Sequence, residues 1–400
     1  MPRRPTLIQL FVVALRLGCT SFGGPVAHLG YYRKEYVERR HWIDDAHFAD
    51  LVALCQFLPG PASSQTGFAI GCQLRGLAGG LAIWLGFTLP SAILMTAFAL
   101  GLASSGQVEA AGWMRGLKVA AVAVVGQAVW TMGRSLCPDW PRRTLAAGAA
   151  AVLLALALAW VQLAVIAAGA LVGWTFFRAV APAPASRESG SDVTQPGEIP
   201  AKRTGMACLV LFFLLLLGLP GAVRMTNLPA LEVFDRFYRV GALVFGGGHV
   251  VLPLLEHEVV APGWVAHDRF LAGYGAAQAL PGPLFTLSAY LGAVIAPGGW
   301  LGAAVALVAI FLPGLLLTAG ALPFWHELRA QPGPQAALRG ANAAVVGVLL
   351  AAFCDPVCTS ALTSGRAVGV AIAALGALVS GRVPVWVVVF GSALAGAWLL

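Results

Sequence analysis

Gln56-Phe57-Leu58-Pro59-Gly60-Pro61 stands inside an apolar run that otherwise reads as one membrane helix. Gln278-Ala279-Leu280-Pro281-Gly282-Pro283 repeats it 222 residues later, inside a second such run. Proline removes a backbone donor and clashes with the preceding turn, so Pro-Gly-Pro ends a helix. At membrane depth, broken backbone is tolerated only where protein buries it or a watery cavity receives it. Two breaks at matching positions of two halves point to a transporter's binding site.

The match extends outward from the breaks in both directions. Residues 11–24 read FVVALRLGCTSFGG and residues 234–247 read FDRFYRVGALVFGG, so Phe11, Arg16, Gly18 and Phe22-Gly23-Gly24 each find a partner 223 residues on. Trp42 and Phe48 match Trp264 and Phe270, Pro90 matches Pro313, and Arg115-Gly116 matches Arg339-Gly340, all in the same order. The chain is therefore read as a duplication. Residues 1–178 form the first repeat, 179–204 a polar Pro-rich linker, 205–222 one extra membrane helix, and 223–400 the second repeat. The run at 144–178 is long enough for two helices, divided near Gln162.

Composition fixes the class. Of 400 residues, 59% are hydrophobic and 10% charged, and mean hydropathy is +0.81. Soluble proteins carry about 25% charged residues. No alternating strand pattern of the barrel kind is present. The expectation is an all-α polytopic membrane protein with two homologous repeats and about 10–13 membrane segments, some broken or re-entrant. The formal net charge of +8 is spread over helix ends and loops, which fits membrane orientation and argues against nucleic acid as a partner. The seven cysteines form no CxxC pair, and no metal or cofactor is expected.

A single extra crossing between the repeats would invert the second relative to the first. Charge supports this. The connector after Phe22-Gly23-Gly24 holds Arg33, Lys34, Arg39 and Arg40, whereas its counterpart holds Glu256, Glu258 and Asp268. The positive-inside rule then places the first connector and the linker in the cytoplasm of a multi-pass inner-membrane protein, and the N-terminus with them where the first two segments dip in and return. Whether the first two segments cross or dip in and return is open, and both versions leave the repeats antiparallel.

The candidate binding residues follow from the breaks. Gly60 and Pro61 suit the cap and first position of a new half-helix. The free amides after them, with the Ser63 and Ser64 hydroxyls, suit an anion. Repeat 2 has Leu284, Phe285, Thr286 and Leu287 after its break, so the first repeat is expected to hold more of the substrate. The alternative is a packing kink. Pro59, Pro281, Gly282 and Pro283 complete the two breaks, and Gln56 and Gln278 beside them suit hydrogen-bond donors. Phe22, Gly23, Gly24, Phe245, Gly246 and Gly247 suit close backbone approach. Arg16 and Arg239 are cations inside apolar segments, which are costly and by default functional, although snorkelling to the interface also accounts for them. His28, His249, Glu256 and His257 are candidates for proton coupling, against structural or solvated roles.

SFGGPVAHLGYYRKEYVERRHWI and FADLVALCQFLPGPASSQTGFAIG in repeat 1, with VFGGGHVVLPLLEHEVV and LAGYGAAQALPGPLFTLSAYLG in repeat 2, resemble the chromate ion transporter family in its two-domain bacterial form. GANAAVVGVLLAAFCDPV near residue 340 is similar to that family as well. The resemblance implies chromate efflux across the inner membrane, chromate resistance, and the proton-motive force as driver, with H+ as coupling ion. Chromate and sulfate are tetrahedral dianions of similar size, so a carrier for sulfate or another anion stays open, as does a homodimer. An intramembrane lipid-acting enzyme needs a nucleophile–base pair at depth. Ser63 or Ser64 with His28 is the nearest pair, and no spacing rule supports it. No G-x-x-x-x-G-K-[ST] motif is present, which argues against direct ATP drive.

Overall fold

The computed structural model describes residues 5–22, 24–104, 112–156, 159–177, 200–226, 228–244, 251–328 and 331–399. Gly23, Phe245, Gly246, Gly247, His249 and most of the linker lie outside these described residues. Among the described residues the regular structure is helical throughout.

Helix α1 (Leu7–Thr20) opens on a capping box, in which the Thr6 hydroxyl accepts from the Gln9 amide and the Gln9 side chain accepts from the Thr6 amide. Helix α2 (Gly24–Tyr32) runs into a wider π-type turn at Arg33–Arg39. The first break separates α3 (Asp45–Phe57), capped by Asp44, from α4 (Ala62–Ser104). Helix α4 itself reverses at Arg75 and Gly76. Three helices complete the first half: α5 (Gly112–Leu136), α6 (Trp140–Ala155) and α7 (Ala159–Phe176). The 144–178 run thus divides between Ala155 and Ala159, and Gln162 falls in the first turn of α7. Neither glycine nor proline marks that division.

Helix α8 (Lys202–Thr226) follows the linker and buries only Gly205, Phe212 and Leu219. A helix this apolar and this exposed suits lipid on most of its surface. The second half begins with α9 (Pro229–Leu243) and α10 (Val251–Val259). The second break separates α11 (His267–Ala279) from a short 3-10 turn and α12 (Leu287–Val294). Next come α13 (Gly299–Ala321), α14 (Trp325–Leu328), α15 (Pro332–Ala352), α16 (Thr359–Ala361), α17 (Gly365–Val379) and α18 (Val385–Leu399). Among the described residues, five helical spans are long and apolar enough to cross a membrane, and five shorter apolar helices accompany them.

Matching residues make matching contacts. Helix α1 lies along the second part of α4, where Gly18 faces the carbonyls of Gly86 and Phe87. Helix α9 lies along α13, where Gly241 faces the Ile310 carbonyl. The Gly86 carbonyl stands four residues before Pro90, which has no N–H to give it, and the Phe87 and Ile310 carbonyls stand three residues before Pro90 and Pro313, prolines inside their helices. A glycine on the neighbouring helix lets the backbones close over such a site.

The two halves also exchange partners. Helix α5 packs on α17 and α18, while α15 packs on α6 and α7. At these crossings Gly116 faces the Ser392 carbonyl and Gly340 faces the Gly169 carbonyl. The repeated Arg-Gly pairs therefore mark close helix crossings between the halves.

Candidate functional site

The two breaks are tied to each other's repeats. The Gly60 amide donates to the Val244 carbonyl at 2.6 Å, and the Gly282 amide donates to the Ser21 carbonyl at 3.0 Å. Val244 and Ser21 are the last residues before Phe245 and Phe22, so each Pro-Gly-Pro element is bound to the residue that precedes the Phe-Gly-Gly sequence of the other half. Gly60 has φ +123° and Gly282 has φ +102°, a region that L side chains rarely enter. Space is short as well. A Cβ on Gly60 would lie 2.9 Å from Gln65 Nε2 and 3.1 Å from the Gly314 Cα, and one on Gly282 would lie 2.6 Å from Ser91 Oγ. Gly314 and Ser91 directly follow Pro313 and Pro90.

After the first break, Ser63, Ser64, Gln65 and Thr66 are all buried. Gln65 Nε2 donates to the Pro59 carbonyl at 2.9 Å and to the Gly314 carbonyl at 3.1 Å, bracing the break against α13. His28 Nδ1 and Ser63 Oγ share a hydrogen bond at 3.3 Å. The His28 ring sits edge-on to Phe87 at 5.1 Å. The amides of Ala62, Ser63 and Ser64 open α4 and have no helical acceptor, leaving the positive end of the helix at the break.

Around this point Ser21 Oγ, His28 Nε2, Ser64 Oγ, Gln65 Oε1, Thr88 Oγ and Gln278 Nε2 are buried without a protein partner. Each such group costs roughly 1–3 kcal/mol when left unpaired. Most of them are donors or can donate. A group of orphaned donors beside a helix start is suited to a hydrated or liganded anion.

The other expected residues lie at varying distances from this point. Phe22 packs near Trp386 at 5.8 Å, and Gly24 takes φ +76° at the start of α2. Gln56 is exposed, whereas Gln278 is half-buried with its amide turned inward. Arg16 is exposed and lines a groove of about 550 Å³ with Tyr31, Lys34, Glu35, Glu38 and Arg39. Arg239 is engaged by Asp235 at 2.9 Å and lies 3.9 Å from Glu258. Glu256 reaches His267 and not a break. His257 is half-buried on α10. In the first connector, burial pushes the Glu35 carboxyl up, but hydrogen bonds from Arg40 and Arg39 outweigh it and hold the group below its ordinary value.

A model of the chromate transporter family matches residues 8–174 and 231–397. The chain belongs to the chromate transporter family. It is 29% identical to a chromate transport protein of Pseudomonas aeruginosa over 98% of this chain and 92% of that protein. A chromate transport protein of Cupriavidus metallidurans is 29% identical over 87% of this chain and 82% of that protein. A probable chromate transport protein of Synechococcus elongatus is 27% identical over 87% and 84%. No solved structure matches the chain. The two matched segments each contain a Phe-Gly-Gly and a Gln-x-x-Pro-Gly-Pro element.

Several residues at the centre escape sequence reasoning. Ser21, Thr88, Ser91 and Gly314 come from helices distant in sequence, and only the repeated proline beside Ser91 and Gly314 hints at them. His267 and Ser360, 2.9 Å apart, carry no motif.

Proposed function

We propose that this chain is a secondary transporter that exports chromate, a tetrahedral divalent oxyanion, across the bacterial inner membrane. The proton-motive force drives it, and chromate resistance follows. The observation that carries this reading is the cross-linked pair of breaks with orphaned donors on the first of them. Ser63, Ser64, the amides that open α4 and Gln278 form the cradle for the anion, while Gly60 and Gly282 hold the backbone that aims them. His28, hydrogen-bonded to Ser63, fixes the place of that hydroxyl at the cradle. No covalent step is required.

The repeats are inverted in this reading. Arg75 Nε donates to the Pro5 carbonyl at 2.8 Å, so the reversal in α4 lies beside the start of α1. The first part of α4 therefore returns to the side from which α1 sets out, and its second part crosses. The basic connector stays on that side, which the positive-inside rule makes cytoplasmic. Helix α8 then carries the chain across once, so repeat 2 begins on the other side. Exchange of access between the two sides amounts to movement of one repeat against the other around the paired breaks.

Direction follows from charge. An inside-negative potential favours outward movement of an anion by about 2.3 kcal/mol per charge per 100 mV, hence about twice that for a dianion. The deciding experiment is chromate movement into inverted membrane vesicles, with and without excess sulfate and an uncoupler. Uptake that sulfate inhibits and the uncoupler abolishes is expected. Absence of chromate uptake in vesicles holding the folded protein, with sulfate uptake present, would make the chain a sulfate carrier instead.

A further inference from the structure

We propose that the inner face of α2 is a proton line joining the cradle at the first break to the basic connector. His28, Tyr32 and Tyr36 stand at i, i+4 and i+8 along α2 and the π-type turn that continues it. They are 1%, 0% and 0% exposed. His28 Nδ1 shares its hydrogen bond with Ser63 Oγ. The Tyr32 hydroxyl lies against Gly67, one turn further along α4, where a Cβ would come within 3.1 Å of it. The Tyr36 ring follows 5.7 Å from that of Tyr32 and stacks on Trp42, the indole beneath Arg40. Arg40 and Arg39 hold Glu35 at this end and reach water. The row thus runs from the cradle to the surface of the connector.

His28 Nε2 and the Tyr32 and Tyr36 hydroxyls are each buried without a protein partner. A buried tyrosine ordinarily finds a bond for its hydroxyl. Others in this chain do, Tyr238 donating to the Phe212 carbonyl at 3.0 Å and Tyr290 to the Arg269 carbonyl at 3.1 Å. Packing does not account for the exception. Counted from Phe245 as these three are from Phe22, the same positions of repeat 2 are Val251, Leu255 and Val259 on α10, each fully buried. Aliphatic side chains therefore fill the duplicated frame equally well. What repeat 1 adds is a row of polar atoms.

Residues four apart on a helix are separated by about 6 Å along its axis. One water spans such a gap with two hydrogen bonds of about 2.8 Å, and buried water is held by otherwise unpaired groups of this kind. A proton passes along the row by relay. Each hydroxyl accepts a proton from the water on one side and gives its own to the water on the other, so no group in the line stays charged. Phe87, 5.1 Å from the His28 ring and 5.2 Å from that of Tyr32, closes the row to anything as large as an oxyanion. That the connector side is the cytoplasm, and that a proton moves during transport, rests on the transport reading. The unpaired row and its aliphatic twin do not.

The test uses purified full-length protein in liposomes with a trapped pH dye, the membrane potential clamped, in alkaline buffer where chromate stays a dianion. A chromate gradient should drive proton movement through the wild-type protein. Tyr32→Phe and Tyr36→Phe, which keep the rings, should each slow that movement by about tenfold, the loss of one hydrogen-bonded bridge. Exchange of labelled for unlabelled chromate at equal concentrations moves no net proton and should stay near wild type in both. Tyr32→Leu, which installs the side chain of the twin position, should act as Tyr32→Phe does. Ser64→Ala should slow exchange and proton movement alike. Undiminished proton movement in both phenylalanine variants overturns the proposal. So does an equal loss of exchange and proton movement in them, which is a packing defect. Chromate exchange without any proton movement in the wild type overturns it too, and leaves chromate transport standing without its proton. If no oxyanion crosses, while an imposed pH gradient decays about tenfold faster through the wild type than through Tyr32→Phe, the transport reading fails and the line holds.

Discussion

After Pro61 the chain supplies Ser63, Ser64 and Gln65; after Pro283 it supplies Phe285, Thr286 and Leu287. The backbone at the two places is alike, with a positive-φ glycine whose amide is bound to the opposite repeat. The side chains are treated oppositely. In repeat 2 the Phe285 ring packs on Phe311 at 5.7 Å. Its hydroxyls are turned back on their own turn, Thr286 Oγ donating to the Pro283 carbonyl at 2.9 Å and Ser288 Oγ to the Phe285 carbonyl at 2.7 Å. In repeat 1 Ser64 Oγ and Gln65 Oε1 are buried and unserved. One break is closed and packed, and the other keeps polar atoms that only water or a ligand can satisfy. Duplication supplied a symmetrical frame, and divergence left the buried unserved side chains that follow a break to the first half.

If the frame is shared, damage to either glycine should be equally severe. Gly60→Leu and Gly282→Leu each force a side chain into positive φ, a strain of about 1–3 kcal/mol, and each displaces a neighbour. Chromate uptake into inverted vesicles should fall by about a hundredfold or more in both, since misplacement of about 1 Å suffices for that, while the amount inserted in the membrane stays near wild type. Normal uptake by Gly282→Leu would break the comparison at its root.

If the chemistry is confined to repeat 1, hydroxyl deletions should separate the halves. Ser64→Ala should lower uptake by about tenfold, the loss of roughly one hydrogen bond to a charged group. Thr286→Val removes a hydroxyl already committed to backbone, so uptake should hold and the melting temperature should fall by a few degrees, for about 1 kcal/mol. The reverse pattern would assign the substrate to the second break.

Much of this was legible in the chain itself. The Pro-Gly-Pro twin declares its breaks because proline acts locally, and Arg115-Gly116 with Arg339-Gly340 declares the duplication. What stayed hidden is what depends on distant packing. That Gly60 would bind Val244, and not a residue of its own repeat, has no local signature. Nor does the inward turn of Gln278 against the outward turn of Gln56, which the motif makes look equivalent. The division of the 144–178 run is expected near Gln162 and falls a few residues earlier, between Ala155 and Ala159, because no helix breaker marks its place.

Arg16 and Arg239 sharpen the comparison at a smaller scale. Arg239 neutralises Asp235, a buried carboxylate with one oxygen unserved. Arg239 itself is partly exposed, so solvent screens the pair, and Arg239→Gln should cost about 1–2 kcal/mol of stability. Arg16, on the open groove, should behave differently. Arg16→Gln should leave the melting temperature within about 1 °C of wild type and reduce uptake by roughly threefold, with Arg16→Lys restoring it through charge alone. Identical uptake by the two Arg16 variants would show that the charge is unused and the side chain merely reaches the interface.

The smallest expected effect lies in the connectors, where matching tryptophans receive arginines from different places. Arg40, within the first connector, lies over Trp42 at 4.8 Å and holds Glu35 at 2.7 Å. In repeat 2, Arg236 comes instead from α9, lies over Trp264 at 4.3 Å and reaches Glu258, the counterpart of Glu35, at 3.3 Å. The same carboxylate–guanidinium–indole stack is thus built from within one connector and from outside the other. Because hydrogen bonds from Arg40 and Arg39 prevail over burial, Glu35 gives up its proton more readily in the folded chain than in the unfolded one. Its contribution is therefore present above the ordinary Glu value of about 4.3 and fades as pH falls below it. Glu35→Gln should lower the melting temperature at pH 7 by about 2 °C and by progressively less as the buffer is acidified below pH 4. Arg39 and Arg40 retain some exposure to water, which keeps the difference small. A deficit that stayed constant down to pH 3 would mean that Glu35 acts through packing and not through its charge, leaving the first connector held by the Arg40–Trp42 stack.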